Sequence, residues 1–127
     1  MSELYEIGMK VRREMFGPQG AELAVQNATE FAKPFHDIMT RYCFGETWGN
    51  EALSRRDRSL ATLSMLIALG KDNEIKMHVK GGIANGLTVE EIQALVLHSM
   101  IYLGVPASVT GLRAAEAALA EMEAAKA

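Results

Sequence analysis

Two of the three histidines in this chain stand in one stretch, Lys71 to His98 (KDNEIKMHVKGGIANGLTVEEIQALVLH). Glu74 and His78 are four residues apart, which on a helix puts them on one face. A carboxylate beside an imidazole favours the imidazolium and raises its pKa. Such a pair can hold a proton for donation or abstraction near neutral pH. Lys76 and Lys80 are close by, so a plain surface ion pair is the competing reading. His98 and Tyr102 repeat the spacing among Leu95, Val96, Leu97, Met100 and Ile101. Here a core histidine satisfied by a hydroxyl competes with a polar group aimed into a dry pocket. The third group is basic. Arg55, Arg56 and Arg58 open a helix, where the macrodipole disfavours cations by about 0.3 kcal/mol or more each. A locally unfavourable choice flags function; the alternative is that Asp57, Glu46 or Glu51 neutralises them. Just upstream, Phe44 and Trp48 either plug a core gap or line a pocket with Glu46.

Other chemistries have little support. Glu74 with the H-x19-H spacing of His78 and His98 could supply three zinc ligands, but no HExxH or Cys/His cluster accompanies them; no metal is expected. There is no GxSxG elbow, and Cys43 has no base near it in sequence. Gly81-Gly82 falls within a helix, where it suggests close packing rather than a phosphate loop. One cysteine allows no intrachain disulfide and fits a reducing cytoplasm. A net charge of −3 does not suggest a nucleic-acid surface. The first sixteen residues mix charges and lack an apolar signal core. The uncharged run Ile92–Leu112 is long enough for a membrane span, but Gln93, His98 and Pro106 interrupt it. A buried helix at a subunit interface is the expectation.

The elements that must position these residues are all helical. The chain is 127 residues long and 49% hydrophobic but only 6% aromatic. One domain over 1–127 is expected, rich in residues that lose little rotamer freedom in helices. Leu4, Ile7, Val11 and Met15 make the stripe of a helix over 3–16, ended by Gly17-Pro18. A second helix runs from about Gln19 to Tyr42, with Leu23, Phe31, Phe35, Ile38 and Met39 inward and a kink or break at Pro34. Phe44–Leu53 reads as the longest loop. Ser54 caps a helix to Leu69 that is apolar on nearly every face and so central. Gly70 ends it. Asp72 or Asn73 caps the next helix, which closes at Asn85 with Gly86 as its C-terminal glycine. Thr88 to Glu91 forms a capping box, with Leu87 and Ile92 at staple spacing. That helix reaches Leu103; Gly104 stops it, and Pro106 opens the last helix, to about Glu123. The expected fold is all-α with about six helices. Their apolar faces exceed what a small bundle buries, so a homo-oligomer is expected.

Three segments together resemble the carboxymuconolactone decarboxylase family, over about residues 5 to 120: RYCFGETW, LSRRDRSLATLSMLIALGK and NEIKMHVKGGIANGLTVEEIQALVLHSMIYLGVPAS. The specific elements are W-(x6)-R-x-x-R-S-L from Trp48 through Arg55 and Arg58, E-x-x-x-H at Glu74 and His78, and H-x-x-x-Y-x-G-x-P-A from His98 to Ala107. The match is nearest to the gamma-carboxymuconolactone decarboxylases. The resemblance implies an AhpD-like helical subunit without cofactor, in a ring-shaped hexamer or trimer. It implies decarboxylation of 4-carboxymuconolactone to the 3-oxoadipate enol-lactone in protocatechuate breakdown (the beta-ketoadipate pathway). Other readings are a family member acting on another small acid or lactone, and a non-catalytic oligomeric binding protein. The thiol enzymes of the superfamily carry C-x-x-C-x-x-x-H. With His78 on that histidine, Lys71 and Glu74 occupy the cysteine positions, which argues against disulfide peroxidase chemistry.

The implied substrate carries its own electron sink. Loss of carbon dioxide pushes electrons through a C=C to the lactone carbonyl, giving an extended enolate without pyridoxal, thiamine or metal. The enzyme must hold two carboxylates, stabilise the oxyanion and return a proton to carbon. In this expectation Arg55 and Arg58 clamp carboxylate. His78, oriented by Glu74, gives the proton or the oxyanion hydrogen bond, and His98 with Tyr102 supplies the other polar contact. Trp48 lends an apolar wall, and Glu46 orients an arginine.

Overall fold

The computed structural model describes residues 2–127, in which seven α-helices, one 3-10 turn and one π-helical stretch occur and no strand. They form two compact units, Met1–Arg55 and Arg56–Ala127.

In the N-terminal unit, α1 (Glu3–Phe16) begins where the Ser2 hydroxyl accepts the Tyr5 N–H at 3.2 Å. Glu3 and Glu6 in its first turn and Arg13 in its last suit the macrodipole. Gly17, at φ 72°, closes it. Val11 and Met15 of the expected stripe are buried, with Gly8, Met9 and Arg12 beside them. Gly8 and Gly45 are there for closeness: a methyl at either would collide with the carbonyl of Thr40 or Leu4 respectively. This lets α1 lie tightly along the π-helical stretch Met39–Thr47.

The single helix expected over 19–42 is not formed. A 3-10 turn (Pro18–Gly20), α2 (Glu22–Gln26), six non-helical residues, α3 (Lys33–Ile38) and the π-helix replace it. Pro34 has no N–H to donate and excludes a preceding helical turn, so it opens α3 instead of kinking a longer helix. Phe31, Phe35 and Ile38 are exposed rather than inward, Phe31 at 96%. The π-helix also takes Phe44–Thr47 out of the expected loop, shortening it to residues 48–54. Phe44 is buried against Val11 and Met15. It meets Phe16 edge-on at 5.9 Å and stacks on Trp48 at 6.4 Å.

In the C-terminal unit, α4 (Arg55–Leu69) buries Ser59, Leu63 and Ile67 only. Met65 and Leu69 are exposed, so α4 is inward on one stripe and not on every face. α5 (Asp72–Ala84) has Lys71 at its N-cap position, one residue earlier than expected and without a side-chain cap. Its end is a Schellman closure. Leu87 N–H reaches the Gly82 carbonyl (2.8 Å) and Gly86 N–H the Ile83 carbonyl (3.1 Å), with Gly86 at φ 106°. α6 (Val89–Leu103) starts in the expected capping box: Thr88 and Glu91 exchange backbone–side-chain hydrogen bonds of 3.0 Å each way. The staple pair Leu87 and Ile92 is buried in the core. α7 (Val105–Ala125) opens with Pro106 in its first turn.

The core joins Leu63, Ile67, Ile75, Val79, Leu87, Ile92 and Val96 to Ala114, Ala115 and Ala118 of α7. Small residues make α7 the hub. α5 and α6 each come closest to α7, and Gly111 gives Ile67 of α4 its place. The Gly86 joint therefore lays both histidine-bearing helices on α7 rather than chiefly on one another. Gly82 lies against Leu87 and Ser59, the close packing its position suggests. No helix among the described residues is long and apolar enough to cross a membrane.

Candidate active site

Glu74 and His78 stand one turn apart on α5, the carboxylate exposed and the imidazole half-buried. Burial pushes the His78 pKa below its ordinary value, and the Glu74 charge offsets this only in part. The expected upward shift is thus reversed. Desolvation acts on the whole ring, whereas the charge of an exposed carboxylate is screened by water. His78 is accordingly neutral at pH 7. The pair is not the surface ion pair with Lys76 or Lys80 either, because both lysines bind Glu121 of α7, Lys80 at 2.6 Å. Two ammonium groups hold the Glu121 carboxyl down to about 2.

His98 and Tyr102 are neighbours on α6, with ring centroids 5.1 Å apart at 52°. Both are exposed, Tyr102 at 76%, so this is not a core histidine satisfied by a buried hydroxyl.

The arginines divide. Arg55 is half-buried and bound to Glu14 at 2.6 Å. That bond is the main cause of the lowered Glu14 pKa. Arg56 pairs with Glu91 and, at 3.4 Å, with Asp57. Arg58 is half-buried on α4. Of the carboxylates expected to neutralise the cluster, Asp57 takes part, on Arg56. Glu46 is exposed on the π-helix, and Glu14 holds the arginine in its place. Trp48 and Arg55 both line a cavity of about 290 Å³ with Gly49, Asn50, Glu51, Leu53 and Ser54. An indole wall and a guanidinium on one hollow can hold a flat, anionic molecule. Helix starts and caps thus bring together Glu74 with His78, His98 with Tyr102, and Trp48 with Arg55.

A second cavity of about 310 Å³ between α6 and α7 contains none of these residues. Its walls are aliphatic, with Gln93, Ser108 and Glu116. With no cation to meet a carboxylate, it suits packing better than this chemistry.

Arg12 is the polar group that the sequence reading passed over. Its residue is 3% exposed. Its Nε donates to the Gly20 carbonyl (2.8 Å) and its Nη1 to the Thr40 hydroxyl (2.8 Å), with His36 Nδ1 at 3.5 Å. Its guanidinium also lies 5.8 Å from the Phe44 ring centre. Burial lowers the Arg12 pKa, and burial followed by the Arg12 charge lowers that of His36. The signal was present as Gly8, Val11, Arg12 and Met15, an i, i+3, i+4, i+7 stripe with an arginine inside it. Cys43 is the only cysteine and is exposed. No group of three His, Cys, Asp or Glu side chains converges as a metal site among the described residues.

Comparison with known proteins agrees with these motifs. The family model of the carboxymuconolactone decarboxylase family matches residues 33–117. A 4-carboxymuconolactone decarboxylase of Acinetobacter baylyi is 36% identical over 112 residues, covering 88% of this chain and 84% of its own. A nitrosuccinic acid decarboxylase of Metarhizium robertsii is also 36% identical, over 86% of this chain and 76% of its own. Motifs, all-helical fold and both alignments agree: the chain belongs to the carboxymuconolactone decarboxylase family.

Proposed function

We propose that the protein decarboxylates 4-carboxymuconolactone to the 3-oxoadipate enol-lactone, within the breakdown of protocatechuate, as a cytoplasmic homo-oligomer. The observation that carries this reading is the 36% identity to a 4-carboxymuconolactone decarboxylase over 88% of the chain. The Trp48–Arg55 cavity supports it, since it pairs a flat apolar wall with a carboxylate-binding cation. In the mechanism, Arg55 and Arg58 hold carboxylate. Carbon dioxide leaves, and the bonding pair passes through the C=C to the lactone oxygen. Because His78 is neutral at pH 7, its role is the hydrogen bond to that oxyanion, a contact that strengthens as charge develops. Glu74 steadies the ring. The proton returned to carbon comes from the His98–Tyr102 pair. Trp48 excludes water from the departing carboxylate.

One observation favours a second reading: the nitrosuccinic acid decarboxylase is equally identical. Loss of carbon dioxide beside a nitro group leaves a nitronate, a delocalised oxyanion like the enolate. The same arrangement therefore serves a small nitro acid with a second carboxylate.

Purified protein given each acid in turn decides between them by carbon dioxide release. The lactone is the expected substrate, turned over without added cofactor and unaffected by EDTA. Turnover should fall at least tenfold in His78→Ala and in His98→Ala. Full turnover in both variants contradicts the site, and no reaction with the lactone contradicts the proposed substrate.

A further inference from the structure

The N-terminal unit buries a cation that no carboxylate meets. Arg12 of α1 is 3% exposed, yet its hydrogen bonds reach neutral acceptors only: the Gly20 carbonyl, the Thr40 hydroxyl and His36 Nδ1. The ion pairs among the described residues of this unit leave it out. Arg13 meets Glu22, Lys33 meets Glu30, Arg41 meets Asp37 and Arg55 meets Glu14. Phe44 lies against the guanidinium. A buried charge ordinarily has a counter-charge close by, because the low dielectric that strengthens a pair also penalises a lone ion. A hollow of about 130 Å³, lined by Tyr5, Val25, Lys33, His36 and Asp37, lies one imidazole away from Arg12. A guanidinium can only donate, so His36 Nδ1 accepts and the ring proton sits on Nε2. Burial and the Arg12 charge both hold the ring in this neutral form. The Nε2–H, the Tyr5 hydroxyl and the Lys33 ammonium are thus three donors on one small space, with Val25 as its apolar wall. Two wall charges are already matched: Lys33 by Glu30 at 2.6 Å and Asp37 by Arg41 at 2.8 Å. The charge left over is the single positive one of Arg12.

We propose that this hollow binds a small monocarboxylate, its oxygens on Tyr5, Lys33 and His36 and its short carbon stem on Val25, with Arg12 as the buried counter-charge behind the imidazole. A hollow of this volume admits several waters, and so a carboxylate on a stem of one or two carbons. A single negative charge matches the surplus. A doubly charged phosphate would exceed it, and would set its second charge beside Asp37. The hollow shares no lining residue with the Trp48–Arg55 cavity, so this inference stands apart from the decarboxylase reading and does not fall with it.

Titration of the full chain with sodium acetate at pH 7 tests the site, read by NMR of the imidazole nitrogens and by Tm, with sodium chloride at matched ionic strength as reference. Acetate should shift the His36 resonances saturably and raise Tm, because a ligand held by the folded state stabilises it. Tyr5→Phe and Lys33→Ala change only the wall. Each should weaken acetate binding about fivefold or more, the worth of one hydrogen bond to an anion. Arg12→Met should abolish binding; it also loses the Gly20 and Thr40 bonds, so the two wall variants decide the case should it fail to fold. A His36 response no greater than that to chloride would overturn the site, as would unchanged affinity in both wall variants. Saturable binding of inorganic phosphate in place of acetate would overturn the monocarboxylate and the charge argument behind it.

Discussion

At the residue scale, burial decides what His78 can do. Spacing alone suggests an imidazolium held by Glu74, but the ring is drawn into the unit while the carboxylate stays wet, and desolvation wins. The consequence is a pH profile with a definite sign. His78 remains neutral at and above pH 7 and takes up a proton only below its ordinary pKa of about 6.5. We expect kcat/KM to be level from pH 7 upward and to fall on the acid side, and the limb belonging to His78 to vanish in His78→Gln. Activity that rises as pH drops towards 6 would make the imidazolium the working form and refute the oxyanion role. Stability follows the same sign: the unfolded chain takes up that proton first, so stability is full above about pH 6.5 and declines below it. Arg12 teaches the complementary lesson. Its burial within a helical stripe was visible in the spacing, but its partners, Gly20 and Thr40, are distant in sequence.

At the element scale, the helix ends hold the site's parts in place. Glu91 has two duties: one oxygen closes the Thr88 capping box, and the other receives Arg56 of α4. A single carboxylate thus ties the start of α6, which carries His98, to the start of α4, which carries Arg58. Thr88→Ala should cost about 1 kcal/mol in urea unfolding, the usual worth of an N-cap side chain. Glu91→Ala should cost a few tenths of a kcal/mol more, because the partly exposed Arg56 pair adds little. A shifted midpoint at constant m would confirm both values. A Glu91→Ala variant no less stable than Thr88→Ala would remove the second duty. The broken 19–42 segment shows the opposite case. There apolar periodicity favours one long helix, and a single missing N–H at Pro34 divides it.

At the scale of the whole molecule, the apolar surface left by one chain is the dominant fact. Phe31, Phe35, Met65, Leu69, Ile101 and Tyr102 are all exposed in the single chain, far beyond the scattered apolar residues of a monomer surface. Assembly that is coupled to folding makes thermal stability depend on concentration. A tenfold dilution should lower Tm by about 2 °C, given the unfolding entropy of a chain of this size. A Tm independent of concentration over two decades would argue against coupled assembly.

Local grammar needed no tertiary structure. The capping box at Thr88, the staple of Leu87 and Ile92, the glycine stops at 17, 70, 86 and 104 and the all-helical class are contacts between near neighbours, and near neighbours are printed in the sequence. The family motifs around Trp48, Glu74 and His98 were legible for the same reason. The tertiary structure decided what depends on distance through space. It put Glu14 rather than Glu46 on Arg55, drew His78 inward and left His98 outside, and made α7 the common support of α5 and α6. Burial sets dielectric, and dielectric sets protonation. An i, i+4 spacing specifies the pair but not the solvent around it.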